Sequence, residues 1–256
     1  MIAAIGAGGM GEVHTDRDAR LDRTFAIKVL PEHIAQRKKP GARFEPEAPL
    51  NHPNIRTLQD TGPGHMVMEL IEGETLAACI EQDPFPLDQA LRFASQIADA
   101  LDRAQCAGAT HRDVKPQNSI ETRAGVKVLD FGLAKSASRP APTEATLTNV
   151  LTTEGTVMGT PHYLAPEQFE GKDADARSDI WAFGAVLHER KAFEGKCPAS
   201  LVGAILGADP APGAVQPFTP AWLERLVRRQ KDRVERWPPT RILLQSPGWR
   251  NHEGLK

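Results

Sequence analysis

One short stretch constrains this chain more than any other: residues 111–118, which read His-Arg-Asp-Val-Lys-Pro-Gln-Asn. It carries the carboxylate of Asp113, the ammonium group of Lys115 and the amide of Asn118, and a second carboxylate, Asp130, follows shortly downstream before Phe-Gly. Phosphoryl transfer uses such groups for positioning and for neutralising charge. Acyl transfer would need an activated nucleophile, and hydride transfer would need a dinucleotide fold. We therefore expect the rest of the chain to hold this loop against a nucleotide.

Charge and cysteine content argue against several other classes of protein. Lysine and arginine together number 31 and aspartate and glutamate 33, so the formal net charge of -2 gives no case for nucleic acid or an anionic membrane. No apolar run approaches the ~20 residues that span a bilayer, and the first residues lack the basic start of a signal peptide. Cys79, Cys106 and Cys197 are far apart and show no metal-ligand spacing. We therefore expect a cytoplasmic protein with no nucleic-acid partner and no membrane segment.

The first 30 residues have the pattern of a strand, a glycine turn and two further strands. Residues 6–13 read Gly-Ala-Gly-Gly-Met-Gly-Glu-Val, and residues 24–30 form a β-rich run. A glycine-rich loop lets backbone N–H groups approach phosphates, although the pattern alone is weak evidence. A dinucleotide fold would place a helix after the glycines, whereas a turn-rich segment and a strand follow here. Lys28 lies inside that apolar strand, which favours a phosphate partner over a strand-edge lysine reaching solvent.

Periodicity predicts several further elements. Leucine, isoleucine and alanine recur at helical spacing over residues 87–101, and Gly108 is expected to end that helix. We also expect strands at 66–70, 118–120 and 126–129, a linker at 71–74, a loop at 136–156, and helices at 178–189 and 222–229. Residues 58–66 look too short for two paired strands and a turn. Pro46 and Pro49 flank Glu47, so any helix there must be short or broken.

Several motifs occur in the order that one family uses. They are the glycine loop at 6–13, Phe25-Ala26-Ile27-Lys28, the loop at 111–118, Asp130-Phe131-Gly132, Ala165-Pro166-Glu167 and the D-x-W-x-x-G sequence at 179–184. Together they resemble the protein kinases, specifically the bacterial eukaryotic-like serine/threonine kinases, over nearly the whole chain. The resemblance implies an α+β, two-lobed fold with a small β-rich N-lobe (about 1–68), a hinge (about 69–73) and a larger helical C-lobe (about 74–256). The activation segment would be 130–167.

The resemblance implies a role for each polar group of the predicted site. The backbone from Gly6 through Gly8 to Gly11 would cover the phosphates of ATP, and Lys28 would bind the α- and β-phosphates. Asn118 and Asp130 would hold Mg²⁺ or Mn²⁺. Asp113 would orient the substrate hydroxyl and accept its proton, and Lys115 would stabilise the transferring phosphoryl group. Each of three residues has a structural alternative. Asn118 could be a turn-capping amide, Asp130 a strand-end cap and Asp113 a surface carboxylate.

The resemblance also implies an adenine pocket. Adenine would lie between Val13 and Ala26 on one side and Ile120 on the other, with Met68 guarding the deeper pocket. Backbone groups of Glu69 and Ile71 would bind the edge of the base. Plain core packing is the alternative for the apolar members. Ser119 and Glu121 stand where apolar residues would be expected beneath the base.

Further residues bear on substrate class and regulation. In this family a lysine two positions after the catalytic aspartate, as in Lys115, goes with serine/threonine specificity, and Thr160 fits the same class. Arg112 resembles the partner of a phosphorylated activation segment, and Thr152, Thr153 and Thr156 lie where the phosphate would be placed. Solvated loop threonines are the alternative. Glu167 is expected to pair with Arg236.

Three functions remain open from the sequence. The leading one is a serine/threonine protein kinase that acts on protein substrates and on itself, with a homodimer as one assembly to consider. The resemblance implies that Glu47 is the helical partner of Lys28, and the flanking prolines put that pair in doubt. This favours a pseudokinase, meaning a nucleotide-binding or interaction module with little transfer activity. A small-molecule kinase would share the two aspartates, but Lys115, Phe131-Gly132 and Ala165-Pro166-Glu167 argue against it.

Overall fold

The computed structural model describes residues 3–8, 11–19, 22–31, 50–131, 161–187 and 198–207. The N-terminal part is a five-stranded antiparallel sheet in the order β1-β2-β3-β5-β4. Its strands are β1 (Ala3–Gly8), β2 (Gly11–Asp18), β3 (Arg23–Val29), β4 (Leu58–Gly62) and β5 (His65–Glu69). The three strands predicted in the first 30 residues and the strand near 66–70 are therefore confirmed. Residues 9 and 10 of the predicted glycine turn lie outside the described residues.

The hairpin of β4 and β5 corrects one expectation from the sequence. Residues 58–66 looked too short for two paired strands, yet β4 and β5 pair antiparallel and Gly62 lies opposite His65. Only Pro63 and Gly64 separate the strands, and a two-residue connection is the commonest hairpin turn. An irregularity between Leu58 and Asp60 lets the short strand keep its register with β5.

A second sheet and a long helix form the middle of the chain. The second sheet has the order β6-β7-β8. The elements are β6 (Glu74–Thr75), α1 (Leu76–Gln82), α2 (Leu87–Cys106), a 3₁₀ turn (Pro116–Asn118), β7 (Ser119–Thr122) and β8 (Gly125–Val128). The predicted stripe of α2 is core, since Ile97, Ala98 and Leu101 are at most 2% exposed. The helix ends as predicted at Gly108, with the N–H of Ala109 donating to Ala104 O at 2.9 Å.

The last described elements are helical. They are a 3₁₀ turn (Pro161–Tyr163), α3 (Pro166–Phe169), α4 (Ala176–Leu187) and α5 (Pro198–Gly207). Helix α4 confirms the helix predicted from residue 178, and its residues 178–186 are all buried. Helix α5 was not predicted, because its apolar residues follow no single stripe; its Ile205 packs with Ala165 and Trp181. The predicted loop at 136–156 and helix at 222–229 lie outside the described residues.

The chain thus has a β-rich N-terminal part followed by helices, and the α+β prediction is confirmed. Within the described ranges, no helix combines the length and apolar character required to cross a bilayer.

Candidate active site

His111 anchors the loop that carries the predicted catalytic groups. Its side chain is fully buried, and its Nε2–H donates to the carbonyl oxygen of Leu129 at 2.7 Å. Its Nδ1 accepts the backbone N–H of Asp113 at 3.2 Å, so both ring nitrogens have partners in one neutral tautomer. The ring also packs edge-on against Phe131, with centroids 4.5 Å apart. His111 therefore fixes Asp113 relative to the end of β8.

Asp179, on α4, holds the same loop from the other side. Its carboxylate accepts the backbone N–H groups of His111 and Arg112, each at 2.7 Å. Arg112 has a φ of 67°, a conformation that residues other than glycine adopt rarely and only with support from their surroundings. Burial raises the pKa of Asp179, against the opposing effect of these two N–H donors. The buried helix thus supports a strained turn directly before Asp113.

Asp113, Lys115 and Asn118 form one hydrogen-bonded cluster. The Nζ of Lys115 lies 3.0 Å from Asp113 Oδ1 and 2.7 Å from Oδ2. The Nδ2 of Asn118 donates to the carbonyl oxygen and to Oδ2 of Asp113, both at 2.8 Å. A quarter of the Asp113 side chain remains exposed. The carboxylate is therefore held in one orientation and is still accessible.

Asp130 lies between two cations. Its Oδ2 is 2.6 Å from the Nζ of Lys28, and its Oδ1 accepts a hydrogen bond from Nη2 of Arg56. Lys28 is only 4% exposed, so the lysine in the apolar strand is buried with a partner and does not reach solvent. Burial opposes the charged form of Asp130, but Arg56 and then Lys28 outweigh it and lower the pKa of the carboxyl.

The two clusters are joined through the backbone. The N–H of Leu129, next to Asp130, donates to the carbonyl oxygen of Asn118 at 2.9 Å. These contacts bring Lys28, Asp113, Asn118 and Asp130 together in one region. Lys115 joins them through Asp113.

Both sheets carry the residues predicted to surround adenine. Ala26 and Met68 lie opposite each other on β3 and β5 and are almost fully buried, while Val13 of β2 pairs with Lys28. Ile120 lies on β7, where it pairs with Thr75 of β6. Ile71 lies half-buried in the segment that links the two sheets.

Glu69, at the end of β5, is tied to the second sheet by its side chain. Its Oε2 accepts hydrogen bonds from the Nζ of Lys127 at 2.8 Å and from the N–H of Thr57 at 3.2 Å. Burial opposes the charged form, yet these two donors lower the pKa of Glu69 overall. Lys127 of β8 therefore helps to hold Glu69, at the predicted hinge position, in place.

The predicted glycines lie at the β1–β2 end of the first sheet. Gly6 and Gly8 belong to β1, Gly11 begins β2, and Gly8 pairs with Gly11 across the turn. Ser119 and Glu121, expected to lie beneath the base, are accommodated. Ser119 is buried, and the carboxylate of Glu121 accepts a hydrogen bond from Gln89 at 3.1 Å.

The residues present fit a nucleotide bound with a divalent cation. Asp130 and Asn118 offer oxygen atoms, the ligands that Mg²⁺ and Mn²⁺ prefer. Because Asn118 uses its amide N–H groups on Asp113, its Oδ1 would be the ligand atom. The described ranges hold no group of three or more His, Cys, Asp or Glu side chains suited to a metal, and Mg²⁺ usually completes its shell with phosphates and water.

Two contacts of the site were not predicted from the sequence. Arg56 reaches Asp130 across 74 positions of sequence, and Gln168 donates to the carbonyl oxygen of Arg112 at 3.3 Å. Arg56 lies outside every motif of the sequence, so no sequence pattern predicted the first contact. The Gln168 contact ties α3 to the loop before Asp113 and had no signal in the sequence.

Other predicted features are only partly described. Glu167 is buried and accepts a hydrogen bond from the hydroxyl of Ser178 at 2.7 Å. Outside the described residues lie its expected partner Arg236, together with Glu47, Gly132, Thr152, Thr153, Thr156 and Thr160.

This fold and this cluster point to the protein kinase class. Residues 1–200 match the family "Protein kinase domain", and the chain belongs to that family. It is 38% identical over 226 residues to the serine/threonine-protein kinase PknB of Mycobacterium leprae, covering 81% of this chain and 35% of that protein. It is 41% identical over 200 residues to the probable serine/threonine-protein kinase PknB of Lactococcus lactis, covering 74% of this chain and 30% of that protein.

These relatives identify the chain as a bacterial eukaryotic-like member of the family. The chain spans about a third of the length of the curated relatives it matches.

Proposed function

We propose that this chain is a kinase domain that transfers the γ-phosphate of ATP to serine and threonine hydroxyls of proteins, including its own. One observation carries the proposal: Asp113 with Lys115 and Asn118, and Lys28 with Asp130, form one connected network. In-line phosphoryl transfer depends on positioning and charge neutralisation, and this network supplies groups for both.

Each side chain has a task that its contacts support. Asp113 orients the substrate hydroxyl and accepts its proton, since its carboxylate is fixed by two side chains and still accessible. Lys115 adds positive charge beside that carboxylate for the transferring group. Lys28 binds phosphate oxygens, and Asn118 and Asp130 hold the divalent cation. When bound, the cation neutralises the charge that develops between the β- and γ-phosphates.

The adenine pocket belongs to the same proposal. Ala26, Val13 and Met68 from the first sheet and Ile120 from the second provide apolar surface for the base. The backbone of Glu69 and Ile71 forms the hydrogen bonds to its edge, and the Lys127 contact keeps Glu69 in place. We propose the lobe boundaries given above on this basis, with the hinge at about 69–73.

The proposal extends to the class of substrate and to the place of action. Lys115 and the names of the relatives support serine/threonine specificity. ATP as donor favours the cytoplasm as the place of action.

Arg112 is proposed to bind a phosphorylated Thr152, Thr153 or Thr156, and mass mapping after incubation with ATP tests this. Self-association as a homodimer can be measured by sedimentation.

The proposal is tested by incubating the purified chain with Mg²⁺ and labelled ATP on a generic basic protein, followed by phosphoamino-acid analysis. Phosphoserine and phosphothreonine are expected. Nucleotide binding without incorporation would support the pseudokinase instead. Phosphotyrosine as the main product would contradict the specificity assigned from Lys115.

A further inference from the structure

Arg56 is fixed beside the proposed metal site by the surrounding backbone. It follows Ile55, which is 2% exposed and forms a parallel bridge to Val128 of β8. Its own N–H donates to the carbonyl oxygen of Val128 at 2.9 Å. Because Val128 lies two residues before Asp130, this short ladder fixes the distance between Arg56 and the aspartate.

The side chain of Arg56 forms an ion pair with Asp130. Only 9% of it is exposed, and its Nη2 donates to Oδ1 of Asp130. The Nε of Arg56 is buried and has no hydrogen-bond partner among the described residues. The other oxygen of Asp130 faces the Nζ of Lys28. Each oxygen of the proposed metal-binding carboxylate is thus already paired with a cation.

We infer that Arg56 is a positioning residue that competes with the divalent cation for Asp130 and so raises the cation concentration that nucleotide binding requires. The inference rests on the proposed function, since it concerns how the same site takes up its metal-bound nucleotide. It assigns to Arg56 a role that none of the motifs above contains.

Competition follows from charge and burial. The guanidinium of Arg56 and the arriving divalent cation are both positively charged, and both interact with the same carboxylate. In a site with little water, repulsion between neighbouring cations is weakly screened. The divalent cation must therefore displace the guanidinium from Oδ1 or share the carboxylate with it at a cost. Lys28 differs, because its proposed phosphate partner arrives with the nucleotide.

The test measures the affinity of the full chain for a non-hydrolysable ATP analogue, by calorimetry, across a titration of Mg²⁺. Arg56→Met removes the charge and keeps apolar bulk, and Arg56→Gln removes the charge and keeps a hydrogen-bond donor. Arg56→Lys keeps the charge. The matched control is Arg17→Met, which breaks an exposed pair between Arg17 of β2 and Asp22.

The Met and Gln variants are expected to need about tenfold less Mg²⁺ for half-maximal binding than wild type, a change of about 1.4 kcal/mol. The Lys variant and the Arg17 control should behave like wild type. If the Met variant does not fold, the Gln variant decides.

Mg²⁺-dependent binding with an unchanged or increased requirement in the uncharged variants would overturn the role of Arg56 and leave the proposed function intact. A wild-type chain that binds no analogue at any Mg²⁺ concentration would overturn both.

Discussion

Asp113 differs from an ordinary surface carboxylate because its neighbours hold it in place. Lys115 and Asn118 fix its two oxygens, and His111 fixes its backbone N–H. The adjacent Arg112 accepts an unfavourable φ that Asp179 compensates with two hydrogen bonds. A carboxylate held in this way needs little reorganisation when a hydroxyl arrives, which is the condition for efficient general-base catalysis.

Lys115 is expected to act in transfer rather than in nucleotide binding. Lys115→Met should lower kcat by about 10²–10³, because it removes a charge that the transition state uses. The affinity for nucleotide should stay within about twofold of wild type, because Lys28 and Asp130 remain. Kinase assays and calorimetry on one preparation measure both.

The control for Lys115 is Lys172→Met, which breaks an exposed pair with Glu170. It should leave both quantities unchanged. A proportional loss of affinity and kcat in Lys115→Met would show that Lys115 binds the nucleotide instead.

Asp130 predicts a pH dependence of stability. Burial would raise its pKa, but Arg56 and Lys28 lower it below the ordinary value of 3.8. The folded pKa therefore lies below the unfolded one, so these charge interactions contribute fully above pH 3.8 and are lost as the pH falls through the folded pKa. The difference in urea midpoint between wild type and Asp130→Asn should be constant near neutrality and should shrink below pH 3.8.

Asp22→Asn, at an exposed ion pair with Arg17, should change the urea midpoint little at any pH. A difference for Asp130→Asn that grows on acidification would contradict the assigned direction of the pKa.

The elements predicted from sequence are those with a local signal. The stripe of α2, the glycine after it and the β-rich runs of β3 and β5 each depend on neighbours within a few residues. The β4–β5 hairpin was missed because β4 is short and mostly polar. Helix α5 was missed because its apolar residues surround the helix, a pattern that periodicity does not distinguish.

Helix α2 is expected to be the main source of stability. Leu101 is fully buried, so Leu101→Ala should lower the free energy of unfolding by about 2–5 kcal/mol. The matched control is Leu206→Ala on α5, at a side chain that is 45% exposed, which should cost less than about 1 kcal/mol. Urea unfolding measures both, and equal losses would argue against α2 as the central core element.

Gly73 is expected to be irreplaceable where the first sheet connects to the second. Its φ is 151°, and a Cβ there would lie 1.9 Å from the carbonyl oxygen of Glu121 on β7. Gly73→Ala should therefore lower the free energy of unfolding by more than about 3 kcal/mol. The new side chain would strain the backbone at this φ, and the backbone of β7 would also have to move. Gly108→Ala, with a φ of 77° and open space around the new Cβ, should cost only about 1–2 kcal/mol. Thermal unfolding compares them, and a smaller loss for Gly73→Ala would contradict the close approach.

At the scale of the whole molecule, the site exists only because distant segments meet. Lys28 and Asp130 are 102 positions apart, and Arg56 and Asp130 are 74 apart. Sequence motifs pointed to Lys28, Asp113, Asn118 and Asp130, because the protein kinases that the chain resembles carry those residue types in that order. They could not identify Arg56 or Gln168, whose contacts depend on how β8, α3 and the loop at 111–118 pack together.

The central claim is that this cluster of side chains presents a nucleotide to Asp113. The most direct test is Asp113→Asn beside wild type, with nucleotide affinity and phosphate transfer measured on the same preparations. The variant should bind nucleotide within about twofold of wild type and transfer phosphate about 10²–10⁴ times more slowly, because only the proton acceptor is lost. Equal transfer by the two proteins would contradict the account.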